Sequence, residues 1–239
     1  MAPRLHRGNT GMTRALFVVV AALLLLPAVL SPPRLGAQGD CVTLEDFKKS
    51  RVGEFPAGWK ARKDAGEQVY TVAEERGVRF LRAVSKGLGI QAGRETKEWD
   101  LAARPMLVWS WRPRQFPEGA DERTSKNDSP LAVYMLVEHS RVTGPKAVKY
   151  VWSEHVPAGT HLTSNNGLTQ VRVLRSGPAA RGAWTEERVN VLADFQKYFD
   201  EKETPKPEGI AVLTDADDTK SSAAGDYANF RACAAAARS

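Results

Sequence analysis

The sequence predicts an all-β fold, a jelly-roll β-sandwich with one short helix. Segments that alternate polar and apolar residues, rich in β-branched and aromatic side chains, recur from residue 68 to residue 233. Turn-forming clusters of Gly, Pro and Asn separate them about every 10–20 residues, the rhythm of a sandwich. Helical spacing appears once.

The first alternating segment is Gln68-Val69-Tyr70-Thr71-Val72, and residues 77–84 repeat the pattern. Residues 107–112 form a third strand, starting after Pro105 and expected to stop before Pro113, because proline cannot donate to a ladder. Further strands are expected at 131–138, 147–152, 169–174 and 184–191, with a short buried one at 209–214 and a last one at 227–233. Pro56-Ala57-Gly58, Glu118-Gly119, Thr143-Gly144-Pro145, Asn166-Gly167 and Ser176-Gly177-Pro178 mark turns. Residues 192–201 place Leu192, Phe195, Tyr198 and Phe199 on one helical face, and Pro205 and Pro207 follow to end the helix. The polar stretch 119–130 reads as a long mobile loop.

Composition bounds the function. The chain has 239 residues, 42% hydrophobic and 26% charged, values that exclude wholesale disorder. Its formal charge of +6 is concentrated at the start: residues 1–37 carry Arg4, Arg7, Arg14 and Arg34 and no acid. The remaining 202 residues hold 30 basic and 28 acidic side chains, no footprint for nucleic acid. An apolar run at 15–30 lies behind basic residues and before Leu35-Gly36-Ala37. That is the layout of a secretory signal. Residues 1–37 are therefore expected to be a signal peptide and 38–239 a single β-sandwich domain, periplasmic or secreted. Membrane contact would come only from an uncleaved signal, and either Met1 or Met12 serves as a start. Gly39-Asp40 before Cys41 does not suit a lipobox. Cys41 and Cys233 bracket the mature chain, and an oxidising compartment predicts a disulfide between them, unpaired thiols being the alternative.

An ordered set of motifs resembles a bacterial family known as domain of unknown function 3047. The set comprises Leu44-Glu45-Asp46-Phe47, Phe55-Pro56-Ala57-Gly58-Trp59, residues 105–112, Lys126-Asn127-Asp128, Lys149-Tyr150-Val151-Trp152, residues 182–188, residues 210–219 and Asp226-Tyr227. The resemblance covers about residues 44–230 and departs at 120–128, where Asn127-Asp128 stands in place of a paired acid. It brings no established activity. The layout looks like galactose-binding-like jelly rolls, which include many carbohydrate-binding modules, so the resemblance implies that fold.

Residues at i and i+2 of a strand share a face, so Trp109 and Trp111 point together. They either fill the core or form an aromatic platform for sugars on a concave sheet face. The ligand-binding reading takes Trp109, Trp111, Arg112, Asp128 and Trp152 as contacts, with a glycan or an envelope component as partner. Asp215, Asp217 and Asp218 with Asp226 downstream form an acidic cluster. Calcium, which prefers oxygen ligands, is the cation such a set would take, although Lys220 stands where an EF-hand needs glycine. The competing reading is a solvated acidic turn, or carboxylates that cap backbone N–H groups. No phosphate loop or dinucleotide fingerprint appears, and no other cofactor is expected. Residues 83–87 lack the first glycine of a nucleophile elbow, and the His155–His161 spacing fits no common zinc pattern. Glu138 and Glu154 are the acids nearest aromatic residues for a glycosidase pair. An enzyme is thus less expected than a binding protein; the alternatives are a polysaccharide lyase or hydrolase, or a structural envelope protein.

Overall fold

The computed structural model describes residues 40–140 and 142–235. The apolar run at 15–30 and the expected cleavage site lie outside them. Among the described residues, thirteen strands and one α-helix build a two-layer jelly-roll sandwich. The six-stranded sheet contains β1 (Cys41–Glu45), β3 (Tyr70–Glu75), β4 (Val78–Lys86), β6 (Met106–Gln115), β11 (Thr185–Asn190) and β13 (Ser222–Cys233). Its order is β11-β6-β13-β4-β3, with β1 joining the C-terminal part of β13. The seven-stranded sheet contains β2 (Lys60–Ala61), β5 (Ala92–Glu95), β7 (Leu131–Ser140), β8 (Gly144–Ser153), β9 (His161–Ser164), β10 (Thr169–Ser176) and β12 (Pro207–Leu213). It runs β2-β5-β12-β7-β8-β10-β9, antiparallel except for the parallel β8–β10 pair.

Alternation decides which side chains meet between the sheets. Leu107, Trp109 and Trp111 of β6 point inward and are fully buried, as are Leu131, Val133 and Met135 of β7 and Tyr150 and Trp152 of β8. Trp109 packs against Tyr150 at 5.6 Å between ring centroids and Trp111 against Trp152 at 5.8 Å. Burying each large apolar side chain contributes roughly 1.5–3 kcal/mol, so this layer dominates the stabilising side of the fold. The helix α1 (Val191–Phe199) is capped by Asn190, whose side-chain oxygen accepts the Ala193 N–H at 2.9 Å. It ends at Asp200 in the left-handed region. Val191 and Phe195 enter the core, and Asp194 accepts the Tyr150 hydroxyl at 2.8 Å.

The expected strands are all present. β6 nevertheless runs through Pro113 to Gln115, because the ladder with β13 shifts register beside Pro113 and does not need its missing N–H. Four strands lacked a local signal: β1, β2, β5 and β9. The stretch 119–130 is tied down: Glu122 accepts hydrogen bonds from the Ser129 hydroxyl at 2.8 Å and the Ser153 hydroxyl at 2.5 Å. Cys41 and Cys233 face each other in register on β1 and β13 and are joined by a disulfide.

Candidate functional site

The outer face of the seven-stranded sheet carries a second apolar layer. Ala132, Tyr134, Ala147, Val151, Val171, Val173 and Ala211 point away from the main core and are buried there. Part of this face is the floor of a groove of about 810 Å³. Tyr134, Ala147, Lys149, Ala211 and Leu213 lie on its floor, with Asp215 at the end of β12. Lys60, Arg62 and Lys63 line it beside Gly89 and Gln91, the Arg62 N–H donating to the Gln91 carbonyl, and Asn165 and Thr169 line it as well.

Between the sheets, tyrosine hydroxyls fix the end of β12. Tyr70 donates to the Ile90 carbonyl at 2.8 Å and accepts the Thr214 N–H at 3.3 Å. Tyr227 donates to the Leu213 carbonyl at 2.9 Å and accepts the Ala132 N–H at 3.3 Å. The Asp215 N–H then donates to the Ser129 carbonyl and the Ala216 N–H to the Leu88 carbonyl. A Cβ at Gly89 would meet the carboxylates of Asp215 and Asp217, which would have to move aside.

Lys149 stands opposite Tyr134 in the β7–β8 ladder and beside Val171 in the β8–β10 ladder. It is only 7% exposed. Burial favours its neutral form, yet attraction by Tyr134, Asp215 and Glu122 outweighs burial and holds its pKa above the ordinary lysine value. The ammonium therefore stays charged, 5.6 Å from the Tyr134 ring centroid. Asp215 behaves oppositely. Burial pushes its carboxyl up to about 8; Lys149 opposes the shift, and repulsion from Asp128 and Asp217 adds to it.

The sign of the resulting pH dependence is fixed. The folded carboxyl holds its proton to higher pH than the unfolded one, so stability falls as pH rises from about 4 to about 8. Asp215→Asn cannot ionise. Its melting temperature is expected to exceed the parent's by several degrees at pH 9 and to converge with it near pH 4. Melting scans across that range check this, and parallel curves for the two proteins would contradict it.

The predicted site residues do not assemble as one site. Trp109 and Trp111 do share a face, but it is the inner one, and both rings are fully buried. Trp152 is also core. Arg112 has the opposite parity on β6 and so emerges on the outer face of the other sheet. There it donates to Glu75 through Nη1 and Nη2, both at 3.0 Å, and to Asp226 through Nε at 2.7 Å, beneath the exposed Trp184 ring. Asp226 is thereby separated from the acidic turn, because its carboxylate is the buried partner of Arg112, Arg82 and Arg114. Asp217 and Asp218 are instead joined by Asp128, with carboxylate oxygens within 4.8 Å of one another. Asp128 accepts the N–H groups of Asp218 at 3.2 Å and Thr219 at 2.8 Å, and the Thr219 hydroxyl at 2.6 Å. Asp215 lines the groove rather than this trio. Glu138 and Glu154 lie toward opposite ends of the β7–β8 pair, on the order of 30 Å apart at about 3.3 Å per residue, too far to flank one glycosidic bond.

The family model for proteins of unknown function, DUF3047, matches residues 57–231. The chain belongs to the DUF3047 family. Every groove residue named above falls inside the DUF3047 match, while Cys41 and Cys233 fall outside it. No curated protein matches the sequence. The DUF3047 fold is similar to solved sandwiches at low identity. One is the family 11 carbohydrate-binding module of the cellulosomal cellulase Lic26A-Cel5E of Clostridium thermocellum: 10% identity, TM-score 0.45, covering 84% of this chain and 98% of that one. A carbohydrate-binding module with specific mannan recognition has 12% identity and a TM-score of 0.36, over 82% and 96%. The family 11 xylanase from Neocallimastix patriciarum has 12% identity and a TM-score of 0.37, over 76% and 98%.

Proposed function

We propose that this chain is an exported binding protein that holds a carbohydrate in the groove on the outer face of the seven-stranded sheet. The observation that carries this reading is the groove itself. Its floor sets the small apolar side chains Ala147, Ala211 and Leu213 beside Tyr134 and the polar Lys149 and Asp215, and its rim brings amide, hydroxyl and charged groups from separate segments. A polyhydroxylated ligand needs that combination: small apolar surfaces for its C–H faces and several donors and acceptors around them. The groove has the volume of a small-molecule site, within the usual range of about 300–1,000 Å³.

A second reading, acid–base chemistry on the same ligand class, is favoured by the meeting of Lys149, Tyr134 and Asp215 on the floor. It brings together an ammonium, a phenol and a carboxyl that keeps its proton near neutral pH.

A glycan array followed by titration calorimetry tests the binding reading. Tyr134→Phe, which removes one hydroxyl from the floor, is expected to weaken binding about fivefold, the effect of one lost hydrogen bond. Trp184→Ala, on the outer face of the other sheet, should leave binding unchanged. Binding lost with Trp184→Ala and kept with Tyr134→Phe would move the site to the wrong sheet and end the proposal. Release of new reducing ends or unsaturated sugars from a bound glycan would establish the catalytic reading instead.

A further inference from the structure

The charge of the groove names the class of glycan, an inference that rests on the glycan-binding reading. Lys149 is nine-tenths buried in mid-sheet, with strands on both sides. Among the described residues no carboxylate lies within ion-pair distance of its ammonium. Tyr134 is a hydrogen-bonding neighbour, while Asp215 and Glu122 act on it only through their charge. Glu122 is committed elsewhere, both of its oxygens accepting serine hydroxyls. Among the described residues the ammonium thus has no carboxylate paired with it directly, although it lines the groove. The rim repeats the sign. Lys60, Arg62 and Lys63 are exposed along one side and make no ion pair among the described residues. Of the three acids on the lining, Glu95 is paired with Lys97, Asp215 holds its proton up to about pH 8, and Glu208 is the remaining one, against three unpaired rim cations.

We propose that the groove takes an anionic glycan, a carboxylate or sulfate of one sugar docking on the Lys149 ammonium while the chain passes the basic rim. The ligand then supplies a directly paired counter-charge, where Asp215 and Glu122 act only through their charge. Charge-assisted hydrogen bonds in a water-poor site are the strong ones, so the anion sets affinity and the neutral hydroxyls set fit.

The experiment is titration of the full chain, at physiological salt to suppress diffuse attraction. The panel holds carboxylated polymers (polygalacturonate, alginate, hyaluronan), a sulfated one (dextran sulfate) and neutral ones (dextran, mixed-linkage glucan, mannan). An acidic polymer is expected to bind at least tenfold more tightly than any neutral one, and whether a carboxylated or the sulfated polymer binds identifies the anion. Lys149→Met should lower that affinity about tenfold or more. Lys202→Gln, outside the groove, should leave it unchanged. Should Lys149→Met not fold, Arg62→Gln on the exposed rim is expected to lower acidic binding severalfold. Equal affinity for acidic and neutral polymers, or acidic binding untouched by the groove variants, would overturn the anionic assignment while leaving glycan binding standing. An equal loss in Lys202→Gln would overturn it too, as a diffuse charge effect. No binding to any polymer would overturn both readings.

Discussion

Trp111→Ala is expected to remove about 3–5 kcal/mol of folding stability, the usual loss for deleting a buried tryptophan. The ring has no exposed surface. It meets Trp109 edge to face at 5.2 Å, and its Nε1 donates to Glu187 at 3.0 Å. Truncation opens a cavity between the sheets and takes a donor from Glu187, which keeps Arg175. Trp109→Ala should cost a similar amount for the cavity. The phenylalanine variants separate the two positions. Trp109 Nε1 is buried without an acceptor, so Trp109→Phe removes an unsatisfied donor, whereas Trp111→Phe strips one from a carboxylate. Urea unfolding of the four variants should rank Trp111→Phe below Trp109→Phe by about 1 kcal/mol. An alanine variant within about 1 kcal/mol of the parent would mean the ring is not core.

Removing the Cys41–Cys233 disulfide has an expected effect of the same size. The bond joins residues 192 apart, so it constrains almost the whole unfolded chain. Loop-closure entropy puts that constraint at about 5 kcal/mol. In the folded state the two residues are ladder partners with Cα atoms 4.0 Å apart. Without the bond, a five-residue strand must hold the edge of the sheet by backbone pairing alone. The Cys41→Ser, Cys233→Ser double variant should unfold at a much lower urea concentration than the oxidised parent, and reducing the parent should reproduce the shift. A change below about 1 kcal/mol would show that the cross-link does not limit the unfolded state.

The strands with β-branched and aromatic alternation, such as residues 131–138 and 147–152, were legible because their own side chains specify a half-buried surface. β5, with its Ala-Gly-Arg-Glu, and the two-residue β2 have no such signal; they are strands because neighbours pair with them. The first half of β13 was missed for the same reason, since Ala223, Ala224 and Gly225 have little β-propensity. At the site, parity already separated Trp109 and Trp111 from Arg112, so these three could not have been co-facial. Lys149 gave a weaker signal. Alternation places it opposite the core-facing Val148 and Tyr150, which reads as solvent. Only the tertiary structure covers both faces of β8. The bond between Asp128 and Thr219 spans 91 residues and leaves no local trace.

β13 is the last strand in the chain among the described residues, yet it lies at the middle of its sheet, between β4 and β6 and against β1. Until Ser222–Cys233 has been synthesised, β4 and β6 have no strand between them and present two open edges. The sheet cannot zip progressively behind a growing chain; it must wait and close around β13. Such late, long-range pairing makes folding slow and leaves unpaired edges open to aggregation meanwhile. It also delays the closed sheet until Ser222–Cys233 is available, so a chain held extended before that point would have little stable structure to pull apart.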